Sequence, residues 1–336
     1  SRMTPAVSVL MPAFDAAATI ASALASVRRQ SLRSWECIVV DDGSADATAE
    51  IVASAARADP RFRLLRRPHG GIVAALQAGL VHCRGSIVAR MDADDVMHRH
   101  RLTAQLSALV CGPDLAGVGC HVRLFPRRAL GAGARAYESW LNSQRCAADV
   151  ARDLFVECPI AHPTLAIRRA VLAELGYAER GWPEDYDLLL RLHAAGHRLG
   201  VVPRRLLGWR DHPARESRRS ERCSIASFTR CKAAYLATGF LGAASEYVLW
   251  GFGGTGKALS RALRRHGKRP SLIVELHPRR LGERIDGAPV VPPEALRSRA
   301  PGALVVSVAG AGPRAEIRSF LEGEGWREGR DFVCAA

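Results

Sequence analysis

The first hundred residues alternate short apolar runs with amphipathic segments, and this alternation constrains the fold more than any other feature of the chain. Runs typical of β-strands occupy residues 7–11, 37–40, 62–65 and 86–91. Between them lie helical patterns at residues 17–30, at 71–83 and in a segment that ends at residue 58 and begins with Ser44 or Asp46 as its cap. Such a β-α order predicts an α/β protein with a mostly parallel central sheet, in which ligands bind at the carboxyl ends of the strands.

The rest of the chain predicts a less regular region and then a second unit. Strands are expected near residues 118–125 and 164–167, with helices at 184–195 and 217–238. From residue 245 the pattern becomes strand 247–250, a glycine turn, helix 257–265, strands 271–276 and 304–308, and helix 315–324. We therefore predict a first domain over residues 1–240 and a small Rossmann-like α/β domain over residues 245–336, close to one half of a dinucleotide fold.

Two groups of acids follow predicted strands. Asp41 and Asp42 end the run in VVDDGS, and Asp92, Asp94 and Asp95 follow the run in ARMDADD. Grouped carboxylates repel one another, so a cation is expected to offset them, and oxygen ligands of this kind suit Mg²⁺ or Mn²⁺. The alternative is structural: the first pair would form a turn, and Asp94 and Asp95 would cap a helix that begins near residue 99.

The charge of the chain indicates the chemistry of its partners. The 48 Lys and Arg exceed the 33 Asp and Glu by 15, and the excess is spread along the chain. This suits phosphate-bearing ligands or an anionic membrane surface, whereas aromatic residues make up only 6% and no stacking motif predicts nucleic-acid binding. The predicted helix 217–238 could hold the chain against the inner face of the plasma membrane through a basic face or could be an ordinary solvated helix. That face comprises Arg218, Arg219, Arg222 and Arg230.

No segment of the sequence reads as a secretion signal or as an apolar run of the ~20 residues that a membrane span needs. We therefore expect a cytoplasmic protein. No pattern defines its oligomeric state.

Several segments resemble a known family when they are taken in order. PAFD, VVDDGSADAT, HGGIVAALQAGL and RGSIVARMDADD are similar to the nucleotide-binding half of the inverting glycosyltransferases of family 2, which have a GT-A fold. HPTLAIRRAVLAELGYAERGWPEDYDLLLRL resembles the acceptor half of the same family, including its ED motif. The resemblance covers about residues 7–238. It implies transfer of a sugar from a nucleotide-diphosphate sugar to a saccharide or lipid-linked acceptor, with Mn²⁺ or Mg²⁺ as cofactor, in cell-envelope polysaccharide synthesis.

The resemblance also implies roles for particular residues. Asp94 would ligate the metal, Asp92 would contact the ribose or a metal-bound water, and His212 would be a further ligand. The whole set expected to bind the nucleotide sugar is Pro12, Ala13, Phe14, Asp41, Asp42, Arg67, Asp92, Asp94 and Arg210. Asp15 stands where the family usually has Asn. His69 would approach phosphate, and Asp95 would support the site or cap a helix.

The ED motif, Glu184 and Asp185, would carry the catalysis. By resemblance Asp185 is the general base that takes the proton of the acceptor hydroxyl, and Glu184 orients it or touches the acceptor. The alternative is that both are first-turn acids favoured by the dipole of the helix that follows Pro183. His162 is a candidate for the acceptor pocket.

The glycine turn of the second unit has the pattern GxGxxG. Its glycines are Gly251, Gly253 and Gly256, and Glu275 follows the first of them by 24 positions, near the spacing of the acid that binds ribose in dinucleotide domains. NAD(P) would bind there. Alternatively the glycines only allow a tight turn and close packing, and the unit docks a partner; for so short a unit we favour this interpretation. The sequence thus leaves a second function class open, a NAD(P)-dependent sugar-modifying oxidoreductase or a nucleotide-sugar-binding scaffold.

Overall fold

The structure is a computed structural model that describes residues 4–212 and 220–336. The described residues form two compact units. The first comprises residues 4–151, Pro159–Arg180 and residues 191–212; the second comprises Arg152–Cys158, Gly181–Leu190 and residues 220–336. The division into domains 1–240 and 245–336 stays a prediction.

The first unit is built on a mixed sheet, with eight strands among the described residues. They are β1 Val7–Ala13, β2 Trp35–Asp41, β3 Phe62–Arg66, β4 Ile87–Arg90, β5 Val96–Met97, β6 Leu115–Phe125, β7 Ala166–Arg168 and β8 Arg198–Arg210. Their order is β3-β2-β1-β4-β7-β6-β8-β5. The first four strands of this order are parallel, as the β-α alternation predicts, while β7 is antiparallel to both of its neighbours.

Helices alternate with these strands along the chain. Up to residue 212 they are α1 Ile20–Arg28, α2 Thr48–Ala58, α3 Ile72–Leu80, α4 Arg101–Cys111, α5 Ala132–Leu141, α6 Ala147–Asp153, α7 Arg169–Leu175 and α8 Glu184–Ala194. Of these, α3, α4 and α5 pack on the sheet. Val9, Met11 and Val39 on the central strands are fully buried in the main core of this unit. This burial explains why the strands read as apolar runs, because a parallel sheet covered by helices on its faces has no solvated side.

The second unit contains a further sheet of the Rossmann type. Its elements are α9 Ile225–Thr238, β9 Glu246–Trp250, α10 Gly254–Arg264, β10 Arg269–Val274, β11 Arg284–Ile285, β12 Ala288–Val291, β13 Leu304–Val306, α11 Ala311–Gly323 and β14 Phe332–Cys334. The order β12-β10-β9-β13-β14 is that of five parallel strands wound in both directions from β9, with β11 added antiparallel at one edge. The sheet is more complete than the half-fold expected from the sequence. The expectation missed β12, because this strand is short, contains Pro289 and shows no clear periodicity.

Two expectations about helix starts are corrected. The predicted helix 217–238 begins at Ile225, because the Oγ of Ser224 accepts the backbone N–H of Ser227 and caps it. Arg222 lies in a preceding 3₁₀ turn, and Arg218 and Arg219 lie outside the described residues. The helix expected near residue 99 begins at Arg101, with β5 between it and the DADD segment. Capping of that helix by the two acids, the alternative considered above, is therefore wrong.

The N-cap position of α2 is Ala47, so neither Ser44 nor Asp46 occupies it; Asp46 lies just before it, and its Oδ1 accepts the backbone N–H of Thr48 at 2.9 Å. In the part of the chain that the structure describes, no helix has the length and apolar character needed to cross a bilayer.

Candidate functional site

Three loops of the first unit meet at one edge of its sheet. Strands β2, β1 and β4 are adjacent and parallel, so the loops that follow them leave from the same edge. The pairing of Ala13 with Asp41 and of Leu10 with Arg90 brings residues 14–15, 42–47 and 91–95 together at this edge. The acids that the sequence places after strands are thus neighbours in space.

Asp42 organises the loop that contains the HGG sequence. Its carboxylate is almost fully buried; its Oδ2 accepts the backbone N–H of Gly71 at 2.8 Å, and its Oδ1 accepts that of Gly70 at 3.2 Å. The guanidinium of Arg67 forms an ion pair with Oδ1, and Nδ1 of His69 lies 3.0 Å from Oδ2. These partners occupy most of the acceptor positions of the carboxylate. Asp42 therefore shapes this loop, and its contact with a base stays a prediction.

Phe14 and His69 form an exposed aromatic pair at the same edge. Their ring centroids are 4.4 Å apart with an angle of 33° between the planes, and Phe14 is 50% exposed. Gly43 makes this approach feasible, because a Cβ there would lie 2.7 Å from the backbone nitrogen of His69 and its φ is +79°. The pair offers a flat apolar surface on which a planar ring can stack.

The other residues expected near the nucleotide base mainly form hydrogen bonds with the backbone of neighbouring loops. Ala13 is buried and its carbonyl accepts the N–H of Asp42 at 2.9 Å, while Pro12 is partly buried. Asp41 is buried, and its Oδ1 accepts the N–H of Ser44 at 3.3 Å. Asp15 has a φ of +45°, and its Oδ1 accepts the N–H of Ala45 at 2.9 Å. This Asp therefore ties the loop after β1 to the loop after β2.

Asp92, Asp94 and Asp95 form a cluster that could hold a metal ion. One carboxylate oxygen from each lies within 4.8 Å of the other two. The side chains of Asp92 and Asp94 are 30% and 28% exposed, whereas Asp95 is fully buried. Carboxylate oxygens at this spacing fit a hard divalent cation such as Mg²⁺ or Mn²⁺. The two half-exposed acids are thus the members of the cluster that a ligand in solution can reach.

Arg210 and His212, at the end of β8 and just beyond it, join this cluster. The backbone N–H of Arg210 donates to Oδ1 of Asp95 at 2.8 Å, and its Nε donates to the carbonyl of Asp94 at 2.8 Å. Its guanidinium lies 4.6 Å from the ring centroid of Phe125. Nε2 of His212 lies 3.1 Å from Oδ2 of Asp94. The predicted ligand set of Asp92, Asp94 and His212 therefore comes together, although its members are up to 120 positions apart in the chain.

Two buried arginines lie against the acid cluster, and the sequence interpretation missed both. Nη1 of Arg90 donates to Oδ1 of Asp92 at 2.5 Å. Arg101 is fully buried and donates to the carbonyl of Arg90 at 2.8 Å and to Oε1 of Gln105 at 3.0 Å. Burial lowers the pKa of Arg101, and the negative charge of Asp95 opposes this shift. The signal in the sequence was weak: Arg101 and Gln105 are spaced by four on the otherwise apolar face of α4.

Glu184 and Asp185 begin α8, in the part of this helix that belongs to the second unit. Glu184 is 7% exposed and one of its oxygens lies 3.7 Å from the guanidinium of Arg222. Asp185 is partly buried, and its Oδ1 accepts the backbone N–H of Tyr186 at 2.7 Å. Both acids thus lie in the first turn, where the helix dipole favours negative charge.

A third acid of this turn, Asp187, fixes the start of α8 and was not identified from the sequence. It is fully buried, and its Oδ1 accepts hydrogen bonds from Nε1 of Trp182 at 2.8 Å and from the hydroxyl of Tyr235 at 2.7 Å. Asp187 thus ties the first turn of α8, which also contains Asp185, to Trp182 and Tyr235. His162, the candidate for the acceptor pocket, is buried, with Nε2 3.3 Å from the hydroxyl of Tyr177.

The glycine turn of the second unit has the close packing expected of GxGxxG. Gly251 has a φ of +93°, and a Cβ on Gly256 would lie 2.1 Å from the carbonyl oxygen of Gly251. Gly253 precedes the first residue of α10. Oε2 of Glu275 accepts the N–H of Phe252 within the turn at 3.3 Å. These contacts suit both interpretations of the turn, so dinucleotide binding stays a prediction.

Comparison with known proteins shows which class this architecture belongs to. A mannosyltransferase of Pyrobaculum calidifontis, PcManGT, solved in complex with GDP-Man and Mn²⁺, superimposes with a TM-score of 0.52 and 20% sequence identity, covering 79% of this chain and 70% of that one. At this identity the likeness concerns the fold, which is the GT-A fold. The profile described as "Glycosyl transferase family 2" matches residues 8–176. The chain belongs to this family and is a glycosyltransferase.

Two relatives have names that state the process or the reaction in which those proteins take part. The O-antigen biosynthesis protein RfbC of Myxococcus xanthus is 30% identical over 220 residues, which are 64% of this chain and 16% of that protein. The UDP-Glc:alpha-D-GlcNAc-diphosphoundecaprenol beta-1,3-glucosyltransferase WfgD of Escherichia coli is 32% identical over 105 residues, which are 31% of this chain and 41% of that protein. The chain thus matches less than half the length of either relative.

Proposed function

We propose that this glycosyltransferase is metal-dependent and inverting, and that it transfers a sugar from a nucleotide-diphosphate sugar to a saccharide or lipid-linked acceptor in cell-envelope polysaccharide synthesis. The observation that carries the proposal is the convergence of Asp92, Asp94 and His212 at the edge of the sheet where Phe14 is exposed. In open α/β sheets this edge is where nucleotides bind. The names of RfbC and WfgD support the pathway and the lipid-linked acceptor.

The donor would lie across the loops after β1, β2 and β4. Its base would stack on Phe14 beside His69, in the space shaped by the loop that Asp42 organises. Arg210, whose guanidinium is held against Phe125 next to Asp94, would face the diphosphate. An arginine fork matches phosphate oxygens and complements the acids that bind the cation.

The residues present fit a divalent cation, as the donor complex of PcManGT with Mn²⁺ also supports. Asp94 would hold it, with Asp92 directly or through water and His212 as a further ligand. When bound, Mg²⁺ or Mn²⁺ supplies positive charge that stabilises the departing nucleoside diphosphate. Asp95 would keep the loop in position through Arg210, and Arg90 would hold the carboxylate of Asp92 in one orientation.

We assign the general base to Asp185. Its Oδ would accept the proton of the acceptor hydroxyl while that oxygen attacks the anomeric carbon from the side opposite the leaving phosphate, which inverts the configuration. Support comes from its place in the ED motif and from the first turn of a helix that Asp187 anchors. The ion pair between Glu184 and Arg222 would fix Glu184 beside it.

A panel of nucleotide sugars, tested with Mn²⁺ or Mg²⁺ by thermal shift and by donor hydrolysis, examines donor and metal together. D94N and D185N should each lose at least a hundredfold in transfer. D185N should still bind the donor, and D94N should not bind it in a metal-dependent way. The exposed acid Asp114, 53% exposed in its side chain, provides the control D114N with unchanged transfer. Transfer by D94N or D185N close to that of D114N would exclude the assigned roles.

A second candidate function rests on Glu275, which ends β10 beside the glycine turn at Gly251 and Gly253. This is the arrangement that NAD(P)-binding domains use for the ribose and the pyrophosphate. The unit would then serve an oxidoreductase or a nucleotide-sensing role, and otherwise it would dock a partner. Titration with NAD and NADP distinguishes nucleotide binding from partner docking, since a unit that binds neither nucleotide cannot serve an oxidoreductase.

We also propose that the protein is cytoplasmic and that it contacts the inner face of the plasma membrane.

A further inference from the structure

A cavity of about 1090 Å³ lies in the first unit, and none of its lining residues is among those assigned to the donor, although Phe125 in its wall contacts the guanidinium of Arg210. Its wall is formed by the end of α1, the segment before β2, strand β5 with His98 and Arg99, and parts of β6 and β8. Phe125, Leu207 and Gly208 contribute its apolar surface. A Cβ on Gly208 would lie 3.3 Å from the carbonyl oxygen of Val96, so this glycine leaves the space beside β5 free.

The charge of the cavity wall is unusual even for this basic chain. Half of its twelve lining residues are arginines, against one Lys or Arg in seven for the whole sequence, and none is acidic. The arginines are Arg28, Arg29, Arg33, Arg99, Arg123 and Arg205. Among the described residues, only Arg28 of these six has a carboxylate within 4.0 Å, that of Asp59. Five of the six arginines of the wall therefore have no carboxylate within ion-pair distance in the part of the chain that the structure describes.

Such a group of like charges raises the local positive potential. Each arginine is exposed, so water and salt weaken the repulsion between any two of them. A concave wall nevertheless concentrates the field and attracts anions. His98 in the same wall also lies in a positive potential: burial lowers its pKa, and the positive charges of His100, Arg204 and Arg99 lower it further. The cavity is therefore electrostatically prepared for an anion.

We propose that this cavity binds a ligand that carries two or more phosphate groups, at a site separate from that of the donor diphosphate. Guanidinium forks pair with phosphate oxygens in a bidentate manner, and a phosphate monoester carries a charge of about −1.5 to −2 at neutral pH. Five guanidinium groups without acidic partners thus balance two or three phosphates. The volume suits a small molecule with two phosphates or the head group of an anionic lipid that carries two phosphates. Both sources share this chemistry, and experiment separates them.

The first test uses inorganic pyrophosphate and the full chain, by isothermal titration calorimetry with EDTA present. Without a divalent cation the acids Asp92 and Asp94 repel pyrophosphate, which weakens its binding at the donor site. The variant R99Q/R205Q should bind at least tenfold more weakly than the wild type. The control R57Q/R261Q removes the same two charges from exposed arginines outside the cavity and should change the affinity less than twofold.

The second test measures co-sedimentation of the same three proteins with vesicles of phosphatidylcholine containing cardiolipin, a lipid whose head group carries two phosphates. Binding that R99Q/R205Q loses and R57Q/R261Q keeps identifies a lipid head group as the source of the phosphate. Pyrophosphate binding without vesicle binding, again lost only in R99Q/R205Q, identifies a soluble ligand. The proposal is overturned if the wild type binds neither probe, or if both double variants lose binding equally, since the effect would then reflect net charge. Thermal unfolding midpoints within 2 °C of the wild type exclude misfolding as a cause.

Discussion

Replacing Asp94 by Asn should have opposite effects on stability with and without a divalent cation. Carboxylate oxygens of the acid cluster lie within 4.8 Å of one another, so each pair repels by at least about 3.5 kcal/mol at an effective dielectric constant of 20. Arg90, paired with Asp92, and the buried Arg101 offset part of this repulsion. Asn keeps an acceptor for His212 but removes the charge. Without metal, D94N should therefore be as stable as the wild type or more stable, by up to about 2 kcal/mol.

With metal the order should reverse. A ligand present at a hundred times its Kd stabilises the folded state by about 2.7 kcal/mol. Mn²⁺ at that concentration should therefore raise the free energy of unfolding of the wild type by about this amount. D94N lacks the carboxylate expected to bind the cation and should gain little. Urea denaturation in EDTA and in excess Mn²⁺, followed by circular dichroism, gives the four free energies of unfolding that are compared.

The control D114N neutralises an exposed acid and should respond to Mn²⁺ as the wild type does. The reasoning fails if Mn²⁺ stabilises D94N as much as D114N, because the cation would then bind elsewhere. It also fails if D94N is destabilised by more than 2 kcal/mol in EDTA. In that case Asp94 would be an essential structural acid and not one member of a repulsive cluster.

Three further results are expected. R101M should lower the free energy of unfolding by about 2–5 kcal/mol in urea denaturation, because it leaves the buried carbonyl of Arg90 and Oε1 of Gln105 without their donor, whereas R57M should change it little. G43A should weaken donor binding in thermal-shift titrations, because its Cβ would displace the loop at His69; an unchanged affinity would contradict the tight approach. Burial raises the pKa of Glu36, but hydrogen bonds from Arg84 and Ser8 lower it overall, so its stabilising contribution is complete above the ordinary pKa of glutamate and is lost as the pH falls through the lowered value. Denaturation at a series of acidic pH values should show a shallower decline for E36Q.

The order of elements and the position of the acids could be predicted from the sequence because both are local signals. A buried strand is an apolar run, and an acid that follows it must lie at the edge of the sheet, as Asp42 and Asp94 do. His212 could be assigned to the same site only through the family resemblance. The start of α9 was misplaced by eight residues, since its cap at Ser224 has no pattern that distinguishes it from the serines before it.

The sequence by itself determined that the chain is an α/β protein with carboxylates after its strands, because hydrophobic periodicity and strand ends are properties of neighbouring residues. Only the tertiary structure decided which cations balance those carboxylates. Arg90 and Arg101 lie buried against the acid cluster, while five of the six arginines that line the cavity have no acidic partner among the described residues. In the sequence these arginines look alike, because the energy of a charge depends on its burial and on partners that folding brings from distant parts of the chain.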